Sequence, residues 1–397
     1  MNILQITNTV CTDTNQATGV NRVVTQLCDY LSRTHHDNCY LAYFESGGSV
    51  TSLFVDSFCF KPSFDPLNFE SFLIKHRIDV ISFNFAANQM LDILNDVCKI
   101  ARTNKIKVIY CHHFMPGSEG YSNGSFEEVE YSIISRKNIF DKLKKWIITI
   151  SKPLSTKLIH RIIKGKYDTA YLKCDKLVVF SEPYIDRYLQ IVKGNNRNQF
   201  EVIPNPLSFS EFLPKESLKE KRKEVIFVGR LHEPQKRVSA VLKIWRLVEK
   251  NPLFADWTLS VIGNGNDEQF LHWLAKKYQL KRISFEGRQD PKPYYRRAAI
   301  MMSTSTYEGW PMVLMEAMPM GCCCLAFDTY DAVHDIIKDG ENGRIIPDNN
   351  VKAYYQALVE LMSVEDKRIA MGQAAIESSN RFSMEIIGEK WRAVLGE

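Results

Sequence analysis

Short apolar, β-prone runs alternate with helical patterns in two separate series, and that alternation constrains the fold more than any other feature of the chain. The first series has strands near residues 2–7, 39–44, 80–84, 107–111 and 176–180. The second has them near 224–228, 258–262, 284–286, 300–303 and 323–327. Strands separated by helices pair in parallel, with helices covering the sheet. A chain of 397 residues outgrows one small core, so two Rossmann-like α/β domains are expected. Their expected limits are 1–207 and 208–380, with 381–397 a helix packing back toward the first. Pro204-Asn205-Pro206 and the lysine-rich tract 215–223 read as the hinge. Ligands of open α/β sheets sit beyond the carboxyl ends of the strands. Two such domains facing each other would hold a ligand in the cleft.

Composition narrows the partners. A net charge of +5 with 24% charged and 45% hydrophobic residues belongs to an ordinary globular protein and demands no nucleic acid. The opening Met-Asn-Ile-Leu-Gln-Ile-Thr lacks the basic flank and apolar run of a signal peptide, and no run of about 18 apolar residues occurs. The ten cysteines form no CxxC pair and no zinc spacing. Cys322, Cys323 and Cys324 fall where a buried strand is expected, as small core thiols. A cytoplasmic protein is expected.

One segment departs from the average. Residues 136–176 carry twelve Lys and Arg against three Asp. Leu143, Trp146, Ile147 and Ile150 share a helical face, and after Pro153 the stripe continues through Leu154, Leu158 and Ile162. A basic amphipathic insertion, 133–173, could lie on an anionic membrane surface. Equally, it could be two core-facing helices with solvated basic flanks.

Three loops carry candidate chemistry. After the strand at 300–303, Glu308 and Gly309 form a turn and Pro311 suits the first turn of a helix. The backbone N–H groups of Met312, Val313 and Leu314 would then point outward as an anion site, flanked by the carboxylates of Glu308 and Glu316. The alternative is an ordinary capped helix with two solvated glutamates. After the strand at 225–228, Gly229 allows close approach, and Arg230 and Lys236 supply two cations for a diphosphate. Gly263-Asn264-Gly265 is a weaker signal of the same kind. The loop reaching Gly19 resembles a phosphate-approach loop but lacks the dinucleotide fingerprint. His112 and His113 close the strand at 107–111, where catalytic residues tend to sit. No Asp-x-Asp stands at a strand end to hold a metal.

Together these pieces resemble the retaining, metal-independent glycosyltransferases of the GT-B fold, specifically glycosyltransferase family 4 (group 1). The resemblance rests on Val228-Gly-Arg-Leu231, Gln235-Lys236, Val261-Ile-Gly-Asn-Gly265, Phe285-Glu-Gly287, Ser305-Thr-Tyr-Glu-Gly-Trp-Pro311, Met315-Glu-Ala-Met-Pro-Met-Gly321 and Asp339-Gly-Glu-Asn-Gly343. Glu308 and Glu316 match that family's Glu-x7-Glu pair, and Val202-Ile-Pro-Asn-Pro-Leu207 its interdomain segment.

The resemblance implies a hexosyltransferase taking a nucleotide-sugar donor, with no cofactor or divalent metal. Arg230 and Lys236 would hold the diphosphate and Glu316 the ribose. Glu308 would contact the sugar as a catalytic residue, aided by amides from Gly309 through Pro311, Met312 and Val313 to Leu314. Gly263 would border the donor and Arg288 the base. Gly19 would approach the phosphates and His113 the donor sugar. The acceptor would be a glycan or lipid-linked saccharide in surface polysaccharide or glycolipid assembly, at the inner face of the cell membrane. Arg237 departs from the family's usual glycine, and Asp335 from its glutamate. A same-fold sugar-nucleotide epimerase and a non-catalytic carbohydrate-binding subunit are the rival readings.

Overall fold

A computed structural model of the chain describes residues 1–12, 19–45, 48–61, 63–85, 91–118, 131 and 164–396. The described residues divide into two compact units. One holds 1–118, 164–208 and 382–396, the other 131 and 209–381. Most of the basic stretch 136–176 lies outside the described residues. Its end, 164–173, is helical, with Tyr167 and Ala170 buried and Lys164 bonded to Asp168 one turn on at 2.7 Å.

The first unit is built on a parallel sheet. Its strands are β1 (Asn2–Thr9), β2 (Asn38–Glu45), β3 (Ser57–Cys59), β4 (Val80–Phe85), β5 (Lys107–His112), β6 (Lys176–Val179) and β7 (Phe200–Val202). Their spatial order is β3-β2-β1-β4-β5-β6-β7. Ile3, Leu4 and Ile6 of β1 are wholly buried, as a strand covered on both faces requires. The C-terminal helix Met384–Gly396 belongs to this unit and packs on the helix Gly19–His35. A Cβ at Gly388 would stand 2.3 Å from the Tyr30 ring, so the glycine lets the two helices touch. Beside that contact the Tyr30 hydroxyl donates to Glu389 at 2.5 Å.

The second unit has β8 (Arg222–Val228), β9 (Thr258–Ile262), β10 (Ile283–Gly287), β11 (Ala298–Ser303), β12 (Cys323–Asp328) and β13 (Gly343–Pro347), all parallel in the order β10-β9-β8-β11-β12-β13. Its core joins Phe227, Trp245, Trp257, Phe270 and Leu325. Cys322, Cys323 and Cys324 are wholly buried, and burial pushes the Cys323 thiol up to about 12. The tract 215–223 is built into this unit and does not serve as a hinge. Lys215–Glu220 is a 3₁₀ turn whose Leu218 is buried against Gly321. The Lys221 ammonium donates to the carbonyls of Tyr295 (2.9 Å) and Ala298 (2.7 Å), closing the end of the helix Lys292–Arg297.

Each sheet runs outward in both directions from its first strand. The chain therefore reverses its winding between β1 and β4, and between β8 and β11. Such reversals open a crevice at the strands' carboxyl ends, because the loops on either side turn away from each other.

Candidate functional site

At the second crevice, three strand ends are laced together by backbone. Gly229 N donates to Ile262 O (3.0 Å), Leu231 N to Asn264 O (2.8 Å) and Gly263 N to Gly287 O (2.8 Å). A Cβ on Gly263 would stand 1.9 Å from Gly229 O, and one on Gly265 would stand 2.3 Å from Leu231 O. Gly263 also has a φ of +135°, which side chains rarely adopt. The Gly-Asn-Gly signal, weak in the sequence, marks a place where two backbones touch. Gly287 (φ +66°) makes the adjacent turn and leaves Arg288 exposed beyond it.

From Gly229 the loop runs through Arg230 into the short helix Glu233–Lys236. Arg237, in the left-handed region at φ 47°, ends that helix, which explains why glycine is usual there. Its guanidinium is held by Asp348 at 2.6 Å and lies over the Phe327 ring. Glu233, buried, accepts from Ser239 N at 3.0 Å and so starts the next helix, Val238–Glu249. His232 is half-buried, and burial, then the nearby Arg230 charge, hold its imidazole below the ordinary range.

The opposing loop follows β11. Thr304, Ser305, Glu308, Gly309 and Pro311 are all buried. The Glu308 carboxylate pairs with the Lys236 ammonium, accepts from the Ser305 hydroxyl at 2.7 Å, and meets Gln235 Nε2 at 3.4 Å. Gln235 Oε1 in turn accepts from Arg230 Nη2 at 3.0 Å. Arg230, Gln235, Lys236 and Glu308 thus form one bonded chain across the crevice between β8 and β11. Glu316, also buried, accepts from the Tyr295 hydroxyl at 3.0 Å. Burial, then the Glu316 charge, raise the Tyr295 pKa well above its ordinary value, so that hydroxyl stays a donor.

The helix start differs from expectation. Pro311 stands outside as the cap, and the helix is only Met312–Ala317. Leu314 N donates back to Pro311 O at 3.0 Å, so its amide is not available to an anion. Proline has no side-chain oxygen to cap with, and its own carbonyl closes the first turn instead.

The first unit's candidates sit at its own crevice. Gly19 is the exposed first residue of its helix, with open space where a Cβ would be. The loop before it, 13–18, lies outside the described residues. Buried Asn21 ties the helix start to the end of β1, donating to Thr9 Oγ1 (2.9 Å) and Val10 O (2.9 Å). His113 faces Phe180 edge-on, and its Nε2 lies 3.4 Å from Asn84 Oδ1. The Asn84 amide nitrogen already donates to Gln5 Oε1 at 2.7 Å, which leaves Oδ1 to accept and Nε2 to carry the proton. Burial holds the His113 pKa down to about 3, and that of His112, whose Nε2 meets the Tyr167 hydroxyl at 3.1 Å, likewise. Among the described residues no cluster of three His, Cys, Asp or Glu side chains could hold a metal ion, and no helix is long and apolar enough to cross a membrane.

Comparison with known proteins bears on this site. Residues 208–378 match the family model "Glycosyl transferases group 1". An uncharacterized glycosyltransferase of Haemophilus influenzae is 30% identical over 234 residues, 58% of this chain and 64% of that protein. A Campylobacter jejuni enzyme, the GalNAc-alpha-(1->4)-GalNAc-alpha-(1->3)-diNAcBac-PP-undecaprenol alpha-1,4-N-acetyl-D-galactosaminyltransferase, is 27% identical over 232 residues, 57% of this chain and 62% of that one. The chain thus matches less than two thirds of the length of these relatives. Anabaena HepE, solved in complex with UDP and glucose, superposes with a TM-score of 0.72 at 16% identity, covering 100% of this chain and 99% of that one. The fold is therefore that of the GT-B glycosyltransferases, and residues 208–378, which match the group 1 glycosyl transferase model, contain the bonded chain from Arg230 to Glu308.

Proposed function

We propose that this protein is a retaining glycosyltransferase of family 4 that moves a hexose from a nucleotide-diphosphate-sugar to a glycan or lipid-linked saccharide, without a divalent metal. The observation that carries the reading is the Lys236–Glu308 pair, which joins the loops on the two sides of the β8/β11 crevice. In an oxocarbenium-like transition state, negative charge grows on the leaving diphosphate. Preorganised donors aimed at that charge are the strongest lever available. Arg230 and Lys236 are the cations in reach of one another through Gln235, and they take that role. Lys236 carries three donors, so it can keep Glu308 and still meet a phosphate oxygen. Glu308 then borders the sugar and Glu316 the ribose. Gly263 and Arg288 border the donor on the far side, with the amides of Gly309, Met312 and Val313 on the near one. Departure of the diphosphate leaves one of its oxygens to accept the acceptor's proton, in a front-face displacement. In the first unit, neutral His113 offers Nδ1 as a hydrogen-bond acceptor to a sugar hydroxyl, and Gly19 lets phosphate approach its helix start.

The Campylobacter relative acts on a lipid-linked saccharide, and HepE holds UDP. Together they suggest a UDP-sugar donor and a polyprenyl-linked acceptor in surface glycan assembly. A cytoplasmic enzyme resting on the inner membrane face through 136–176 fits that substrate. Saturation-transfer NMR and a transfer assay with a panel of UDP-, GDP- and ADP-sugars test the reading, run with and without EDTA. The expected product keeps the donor's anomeric configuration, and its yield is unaffected by EDTA. An inverted product, metal-dependent transfer, or conversion of donor without acceptor counts against it. For the membrane step, anionic vesicles should sediment the protein and neutral ones should not; equal behaviour removes it.

A further inference from the structure

The tract Ser303-Thr304-Ser305-Thr306 lies where β11 ends, and its hydroxyls divide between two jobs. Ser305 turns toward Glu308, as described. The two threonines turn the other way, onto the neighbouring loop. Thr306 N donates to Gln235 O (2.7 Å), and Thr306 Oγ1 lies 2.6 Å from Pro234 O and 3.0 Å from Gln235 O. Thr304 Oγ1 lies 2.9 Å from Lys236 O and 3.1 Å from Arg237 O.

These carbonyls need such partners. The helix Glu233–Lys236 has four residues, and Arg237 breaks it at once, so its terminal carbonyls find few donors along the chain. Thr304 is wholly buried, and losing its hydroxyl removes a donor from Lys236 O, while Arg237 O keeps Ala240 N at 2.9 Å. The consequence reaches past stability. Lys236 is anchored through its own carbonyl and those beside it to the same short tract that carries Glu308. A third tie, Thr329 Oγ1 to Ser305 O at 2.6 Å, fixes the tract to the end of β12.

We propose that Thr304 and Thr306 are positioning residues for Lys236, setting where its ammonium stands relative to Glu308 and to a bound diphosphate. The inference rests on the proposed function, in which Lys236 grips that diphosphate. Neither threonine touches the ligand in this account. Both act through the backbone of residues 234–237.

The test is a double-mutant cycle read as UDP affinity by calorimetry, well below each variant's unfolding midpoint. Thr304→Val and Thr306→Val keep the shape and remove the hydroxyl; Thr304→Ser and Thr306→Ser restore it. The double valine variant should weaken UDP binding about tenfold or more, and the serine variants should return to within about threefold of the parent. In a Lys236→Met background the valine substitutions should shift UDP affinity by less than about twofold, because the group they aim is gone. Valine variants that melt lower yet bind UDP like the parent would make the threonines structural only. A full valine effect persisting beside Lys236→Met would place their action elsewhere. If Lys236→Met binds UDP as the parent does, or the parent binds no nucleoside diphosphate, the diphosphate reading itself falls and takes this inference with it.

Discussion

Lys236 and Glu308 have side chains 13% and 9% exposed, so their pairing offsets part of the cost of lost water. Removing Lys236 takes from Glu308 the ammonium it is bonded to. Lys236→Met is therefore expected to lower stability by about 3 kcal/mol in urea unfolding, and Lys236→Met/Glu308→Gln to regain part of that loss. A double variant no more stable than the single would show that the pair is not what holds these groups. Arg237 poses a milder case. Replacing it with glycine relieves a left-handed backbone but gives up the Asp348 pair, terms of about 1 kcal/mol each and opposite sign. Arg237→Gly should melt within a few degrees of the parent. At this scale the sequence is legible where a residue carries charge within a recognisable motif, as Lys236 and Glu308 do. It was silent on the roles of Thr304, Thr306 and Tyr295, whose importance lies in partners up to 72 positions away. A small hydrophilic tract at the point where an apolar strand stops was the available signal.

Strands were legible where they carry a clear apolar run. The ten strands inferred from apolar runs are all present, within a residue or two. The three that escaped are β3, β7 and β13, of three, three and five residues. All lie at or next to a sheet edge, where one-sided pairing leaves a weaker apolar pattern. The helix after Pro311 is short, with Glu316 in its second turn. It stops at Ala317 because Pro319 and Gly321 follow, and Gly321 adopts φ +68°. Glycines show the opposite error, since spacing does not reveal what a Cβ would strike. Gly263→Ala drives a methyl into the backbone of Gly229 and should cost about 3 kcal/mol or more, with loss of nucleotide binding. Gly19→Ala meets open space at a helix start and should leave the unfolding midpoint unchanged or slightly raised. A fall in turnover with an unchanged midpoint would then report ligand approach at Gly19. Thermal melts beside a transfer assay check both substitutions.

For the molecule as a whole, the buried imidazole of His112 and the half-buried one of His113 set an acid limit. His112 and His113 titrate in the folded chain near 3 rather than the ordinary 6.5, because burial disfavours the charged ring. Between those values the unfolded chain binds protons that the folded chain refuses. Their contribution is therefore complete above about pH 6.5 and is lost progressively as pH falls toward 3. Urea midpoints should already decline between pH 6.5 and 5, where ordinary carboxylates remain ionised, and His113→Gln should flatten that decline. A pH-independent midpoint across the window would contradict the burial. Two α/β units were foreseeable from the alternation of patterns. The winding reversals that place β8 beside β11 were not, since strand order depends on contacts far apart in the chain. That adjacency makes the candidate site, because it puts the Lys236 loop against the Glu308 loop. A crystal structure with UDP bound tests it most directly. The diphosphate is expected within about 3 Å of Lys236 Nζ, with Arg230 on the same group and Glu316 at the ribose. A nucleotide seated away from the β8/β11 crevice, with Lys236 and Glu308 still closed on each other, would contradict it.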